Sequence, residues 1–410
     1  MTAKIKYTKG TTAPAGFKAA AVASGVKNPG SDRLDLALIY SDLPTTSAAA
    51  FTSSKVKAAP VRVSAAHAKS TATRAIIANS GNANACTGVR GLEDAKTMAK
   101  NAASALGLKP REVAVCSTGI IGDPLPIDRI TSNIPALVSS LKPKGWISAA
   151  EAIMTSDTVR KMAGAKFMIG KKEITISAMV KGSGMINPNM ATMLCFIATD
   201  ANIDKATLQA ATSAAVEQSF NRISVDGDMS TNDTVIVMAN GAAGNRSITN
   251  GGASSKLFRE ALNGVMLKLA KDMVRDGEKA TKLVEIQVRG ANSHSDAQKI
   301  AEAVSNSQLV KCSWNGSDPN WGRVMHAIGH ASAKIREELI DIYFNGLIAT
   351  KSGLATDTPV AQLKKAVSGP EFTLCIDLHL GDADYTAYTS DLSEGYVAYN
   401  RLEYAVKTRR

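Results

Sequence analysis

Residues 181–200 read KGSGMINPNMATMLCFIATD. Gly182, Gly184, Asn187, Pro188 and Asn189 are turn formers, so the first half is a loop. The apolar run Met193–Thr199 then reads as a buried strand. Thr192 falls at the junction. A threonine hydroxyl is a weak nucleophile unless a base sits beside it. The α-amine of the same residue supplies that base, but only if the chain is cut in front of it. Such an amine titrates near a pKa of about 7.7–8.0, suited to proton transfer at neutral pH. On spacing alone, an ordinary Gly/Pro loop entering a core strand is the stronger reading.

Outward from this junction, short β-like runs alternate with Ala-rich helical stretches. Strands are expected at Leu34–Tyr40, Ala75–Asn79, Val113–Ser117, Phe167–Ile169, Ile174–Val180, Thr234–Ala239, Leu283–Val288 and Phe372–Leu378. Helices are expected at Leu92–Leu106, Ile147–Met154, Lys205–Phe220, Lys256–Arg275 and Asp296–Val304. In Lys256–Arg275, Leu257, Leu262, Val265, Leu269 and Met273 recur near helical spacing, and Gly277 stands as a stop. The mixture predicts a layered α/β or α+β architecture.

Other segments carry polar groups at loop-like positions. In VAVCSTGIIG (113–122) a strand runs into Ser117-Thr118-Gly119, where a hydroxyl beside a glycine N–H would make a two-donor oxyanion site. A strand-ending turn explains it equally well. NSGNAN (79–84), TSDT (155–158) and DPNWGR (318–323) read as capped loops. DGDMSTND (226–233) begins like a calcium loop, but Thr231 replaces the glycine at its sixth position and Val237 the glutamate at its twelfth.

Composition narrows the classes. The chain has 410 residues, enough for two or three domains, with 45% hydrophobic and 20% charged residues, as in a soluble globular protein. Its start shows no apolar secretory region, and no apolar run approaches the roughly 18 residues of a membrane span. A cytoplasmic protein is therefore expected. Five scattered cysteines without a CxxC pair predict buried free thiols. His326 and His330 share one face of an expected helix but lack further ligands, so no metal is expected. The net charge is +12 with a pI near 9.4. The basic residues are dispersed, which favours a solvated surface and disfavours nucleic acid as a partner.

Nine segments in order carry a resemblance. They are TAPAGFKAAAVASGVK, NSGNANACTG, VCSTGIIG, IMTSDT, KGSGMINPNMATMLCFIATDA, FNRISVDGDMSTNDT, RDGEKATKLVEI, DPNWGR and DLSEGYVAYN. Together they span from about residue 11 to about residue 400, and the chain resembles the ornithine acetyltransferase (glutamate N-acetyltransferase) family of arginine biosynthesis. The resemblance implies self-cleavage between Ala191 and Thr192. Chains 1–191 (α) and 192–410 (β) would stay associated, as α2β2. It implies the layered αββα fold of the DmpA-type aminopeptidases. A main domain 1–280 would hold the cut site, and a smaller α/β domain would take 281–410. It implies ping-pong acetyl transfer from N2-acetylornithine to glutamate through acetyl-Thr192, with Thr118 and Gly119 holding the oxyanion. Thr155, Lys181, Glu278 and Asn400 would bind substrate. No cofactor is implied, and acetyl-CoA stays open as a second donor.

Two departures stand out. Lys279 follows the RDGE glutamate where the family commonly has glycine. Five residues past Asn400, where the family usually ends in a substrate-contacting threonine, stands Ala405, with Thr408 beyond it. Two rival readings remain. One is a DmpA-like aminopeptidase with water as acceptor. The other, resting on charge alone, is a basic nucleic-acid-binding protein.

Overall fold

The computed structural model describes residues 4–187 and 193–401. Two compact units divide them. One comprises Met1–Gly182, Asn189–Asn221 and Met229–Ala270; the other comprises Ser183–Pro188, Arg222–Asp228 and Lys271–Arg410.

The first unit holds strands β1 (Lys6–Thr8), β2 (Phe17–Val22), β3 (Leu36–Ser41), β4 (Thr46–Phe51), β5 (Ala75–Asn82), β6 (Val113–Ile120), β7 (Lys161–Ile169), β8 (Lys172–Lys181) and β9 (Leu194–Thr199). After the short β10 (Ile223–Ser224) of the second unit, it adds β11 (Thr234–Ala239). They form a six-stranded sheet in the order β1-β7-β8-β9-β11-β4 and a four-stranded sheet in the order β2-β3-β5-β6. Side chains alternate across both sheets, as the two-residue strand period requires. Ile76 and Ala78 of β5, Ala114 and Cys116 of β6, Leu194 and Phe196 of β9, and Ile236 and Met238 of β11 meet in one buried cluster between the sheets.

The outer faces are covered by helices. Ile77 of β5 and Val113 and Val115 of β6 pack with α2 (Gly88–Leu106) and α3 (Ile127–Ser139). Ala95, Met98, Ala99, Ala102 and Ala103 make the buried stripe of α2, which stops at Gly107 with φ +67°. On the opposite side the Phe258 ring of α6 (Ala253–Arg275) lies edge-on against Phe167 of β7. Helices α1 (Ala59–Ser70), α4 (Trp146–Ala152) and α5 (Lys205–Glu217) complete the unit. The architecture is the expected layered αββα.

The second unit is a mixed sheet ordered β10-β17-β12-β16-β13-β14-β15. Its further strands are β12 (Leu283–Ala291), β13 (Asp341–Phe344), β14 (Leu347–Lys351), β15 (Leu354–Ala355), β16 (Glu371–Asp377) and β17 (Ala383–Ser390). Val284, Ile286 and Val288 of β12 share one core with residues of α7 (His294–Ser305), α8 (Gln308–Asn315) and α9 (Trp321–Gly329). Helices α10 (Val360–Val367) and α11 (Glu394–Asn400) follow. The DPNWGR segment is a cap: the Asn320 side chain accepts the Arg323 N–H at 3.1 Å. His330 sits at the C-cap of α9, its Nδ1 against the His326 carbonyl.

Two expectations need correcting. Ser80-Gly81-Asn82 and Thr118-Gly119-Ile120 are strand residues, not turns: Ser80 pairs with Thr118 and Gly81 with Gly119. The five cysteines are free, but Cys86 and Cys312 are exposed; only Cys116 and Cys195 are buried. Among the described residues, no helix is long and apolar enough to cross a membrane.

Candidate active site

Thr118 and Gly119 lie near the end of β6, where two glycines stand abreast. Gly81 has φ +101° and Gly119 φ +135°, backbone that favours glycine. A Cβ on Gly119 would run into the Gly81 and Asn82 backbone, and one on Gly81 would come within 2.6 Å of the Lys27 Cα. The strand end is also clamped. Asn232 donates to the Ser117 carbonyl at 2.8 Å and to the Ala83 carbonyl at 2.7 Å. Ser117 Oγ donates to Asn79 at 2.6 Å. The asparagines of two of the quoted motifs therefore hold the backbone that carries Thr118.

Lys181 closes β8 and donates from Nζ to Thr118 Oγ1 at 3.2 Å. That contact uses an oxygen lone pair and leaves the hydroxyl proton to point elsewhere, next to a cation that polarises it. Thr155 lies in the loop before β7, and its N–H donates to Asp157 Oδ2 at 2.9 Å. Asp157 Oδ1 accepts Lys161 Nζ at 2.6 Å and the Gly182 N–H at 2.7 Å. Burial pushes the Asp157 carboxyl up, but Lys181 and Lys161 outweigh it and hold the pKa at about 2. Lys27 joins this neighbourhood, donating to the Met154 carbonyl at 2.9 Å and the Thr155 carbonyl at 3.4 Å. Burial, then Arg33 and Lys181, push its pKa down to about 8.

The register sets Lys181 opposite Leu194, and Leu194 opposite Thr234. The Met193 N–H donates to Asp233 Oδ1 at 2.9 Å, while Asp233 Oδ2 is buried without a hydrogen-bond partner among the described residues. Burial pushes this carboxyl well above its usual range. Ala191 and Thr192 lie outside the described residues, as do Ala405 and Thr408.

Glu278 and Asn400 belong to the second unit and meet there: Asn400 Nδ2 donates to Glu278 Oε2 at 3.1 Å. The Glu278 N–H donates to the Ser183 carbonyl at 2.8 Å. A Cβ on Gly184 would come within 2.5 Å of the Glu278 carboxylate, so a side chain there would push that carboxylate aside. Lys279 adopts φ +56°, the left-handed conformation that glycine takes most readily. Its ammonium lies 5.2 Å from the Tyr399 ring centroid. Beside them Asp226 accepts the Met185 N–H at 2.6 Å, the Ile186 N–H at 2.8 Å and the Tyr396 hydroxyl at 3.3 Å. Sequence reasoning missed Lys27, Asp157, Asp226, Asn232 and Asp233 as individual residues. Among the described residues no group of three or more His, Cys, Asp or Glu side chains is arranged to hold a metal ion.

A hydroxyl and a glycine N–H side by side on one strapped strand end, with a lysine on the hydroxyl, can together hold a negatively charged oxygen. The model of the ArgJ family matches residues 18–404, and the chain belongs to that family, as an acetyltransferase of arginine biosynthesis. The arginine biosynthesis bifunctional protein ArgJ of Symbiobacterium thermophilum is 46% identical over 391 residues, 95% of this chain and 97% of that one. The protein of the same name from Geobacter sulfurreducens is 47% identical over 386 residues, 94% and 98% of the two chains. Among solved structures, ornithine acetyltransferase complexed with ornithine from Mycobacterium tuberculosis is similar at 37% identity. It covers 47% of this chain and 100% of that chain, with a TM-score of 0.42.

Proposed function

We propose that the chain cuts itself between Ala191 and Thr192 and then moves an acetyl group from N2-acetylornithine to glutamate. The observation that carries this reading is the Lys181–Thr118 hydrogen bond at the sheet end where β9, the strand after Thr192, begins. Thr192 Oγ attacks the acetyl carbonyl carbon and gives its proton to the residue's own α-amine. The resulting oxyanion takes the Thr118 hydroxyl and the Gly119 N–H. The C–N bond breaks, the α-amine returns the proton to the leaving nitrogen, and ornithine departs. The glutamate amine then attacks the acetyl ester carbon, its proton passes through the α-amine to Thr192 Oγ as the ester C–O bond breaks, and N-acetylglutamate departs. Thr155, Lys181, Glu278 and Asn400 bind substrate, the lysine suited to a carboxylate and the glutamate to an ammonium. Acetyl-CoA enters as a second donor to the same threonine. The α and β chains assemble as α2β2 in the cytoplasm.

Denaturing mass spectrometry of purified protein is the test. Two chains divided after Ala191 are expected, and Thr192→Ala should remain uncut and inactive. A single intact chain of 42.9 kDa with full activity would overturn the reading. Hydrolysis of peptides without acetylglutamate formation would favour an aminopeptidase instead. Acetylglutamate made from acetyl-CoA and glutamate, without acetylornithine, tests the second donor.

A further inference from the structure

The ion pair between Asp157 and Lys161 is almost wholly withdrawn from solvent, with side-chain exposures of 0% and 1%. A buried ion pair is weak evidence for stability, because desolvation offsets the attraction. The remaining bonds of this carboxylate run elsewhere. Oδ2 takes the N–H of Thr155, and Oδ1 takes the N–H of Gly182, the residue after Lys181. Lys161 opens β7 and pairs in register with Val180, so the carboxylate ties the loop before β7 to the end of β8. One side chain thus fixes the backbone at both Thr155 and Lys181, while Lys181 reaches Thr118.

We infer that Asp157 is a positioning residue of acetyl transfer, setting Thr155 and Lys181 for the substrate. This rests on the proposed roles of those two residues. An asparagine cannot replace the carboxylate: its single oxygen can serve either the Gly182 or the Thr155 N–H, and its amide then faces the other donor. Removing the charge also takes the counter-ion from beside Lys181.

Asp157→Asn alone strands Lys161 without its carboxylate and risks the fold, so the decisive variant is Asp157→Asn with Lys161→Met. Methionine fills a volume similar to the lysine stem, and replacing both charges in a buried pair is often neutral for stability. The double variant should fold, with KM for acetylornithine raised about tenfold or more and kcat changed less, as lost ground-state positioning requires. A purely structural role would lower the active fraction and hence apparent kcat, leaving KM unmoved. An unchanged KM in a double variant that folds, with the wild type cut and active, overturns the assignment of Asp157 alone. If the double variant does not fold, Asp157→Glu keeps a carboxylate for Lys161 but shifts both acceptor oxygens by one methylene, so it should mature and raise KM for acetylornithine several-fold with kcat changed less. A KM equal to that of the wild type in this variant would also overturn it. A wild type that neither cuts nor transfers acetyl groups would remove the underlying reading instead.

Discussion

Two aspartates, one in each unit, take opposite protonation behaviour from similar backbone contacts. Asp157 is buried and accepts the N–H groups of Thr155 and Gly182; Asp226 is half-buried and accepts those of Met185 and Ile186. Burial pushes both carboxyls up. Beside Asp157 stand Lys181 and Lys161, and its pKa is held at about 2. Beside Asp226 stands Asp228, and its pKa is raised although the N–H groups of Met185 and Ile186 pull it down. Backbone donors alone therefore do not offset desolvation of a carboxylate here, whereas neighbouring ammonium groups do. The same contrast reaches the groups around them. Lys27 in the first cluster is pushed down to about 8 by burial, Arg33 and Lys181. The Tyr396 hydroxyl in the second is pushed up by burial, Asp226 and Glu278. The first cluster is suited to an anionic group and the second to a cationic one.

The contrast is most sharply tested at Thr118, on the cationic side. Thr118→Ala removes one of the two proposed oxyanion donors and leaves the Gly119 N–H. Loss of a single oxyanion donor typically lowers kcat by about 10²–10³. The loss should fall on kcat, because the donor serves charge that develops only during reaction. Steady-state kinetics with acetylornithine and glutamate read it directly; unchanged turnover would remove Thr118 from the mechanism.

On the acidic side the expected effect is smaller. Glu278→Gln keeps a hydrogen-bond acceptor for Asn400 but loses the charge that would meet an ammonium. A hydrogen bond to a charged group is worth about 1.5–3 kcal/mol, so KM for acetylornithine should rise roughly tenfold or more. Maturation into two chains should continue, since the proposed self-cleavage is intramolecular and needs no bound substrate. A collapse of kcat with KM unmoved would make Glu278 a catalytic group and break the comparison.

How far this was legible in the sequence depends on what each residue reports locally. The helical period of α6 marks it well, since burial on one face leaves a pattern in the chain, and β11 shows as a continuous apolar run because all six of its residues are buried. Strands β2 and β4 carry no such mark: FKAAAV and TSAAAF hold the alanines expected of a helix, and only pairing with β3 and β11 makes them strands. Ser80-Gly81-Asn82 looks like a turn because nothing local shows that Gly81 lies beside Gly119. Of the candidate residues, Thr118 and Gly119 were legible as a hydroxyl beside a glycine N–H at a strand end, whereas Thr155, Lys181, Glu278 and Asn400 came only from the family resemblance, and no spacing rule would have selected them. Asp157 and Asp226 stay hidden because an aspartate in a polar loop looks the same whether it only caps a turn or also meets a distant segment, as Asp157 meets Gly182 and Asp226 meets Met185, Ile186 and Tyr396. The position of Lys279, in contrast, acquires a reason from the fold: its positive φ explains why the family commonly has glycine there.

The smallest expected effect is at Asp226 itself, and it tests the protonation contrast directly. Asp226 Oδ1 accepts the Ile186 and Asp228 N–H groups, and Oδ2 accepts the Met185 N–H and the Tyr396 hydroxyl. An asparagine keeps one of these oxygens and presents an amide at the other, so Asp226→Asn should lose about 1 kcal/mol at low pH. The pH dependence then follows from the raised folded-state pKa. Below the unfolded pKa of about 3.9 the carboxyl is protonated in both states, and its contribution to stability is fully present. As pH rises, the unfolded chain releases the proton first, and that contribution is lost through the folded pKa. The substituted asparagine cannot ionise, so the variant is spared this loss. The gap in Tm between wild type and variant, read by thermal denaturation at successive pH values, should therefore narrow from about pH 3.5 towards neutrality. A gap that widens over the same range would mean that Asp226 is stabilised as a carboxylate in the fold. The two aspartates would then be alike, and the acidic cluster would need a cation that the contrast with Asp157 denies it.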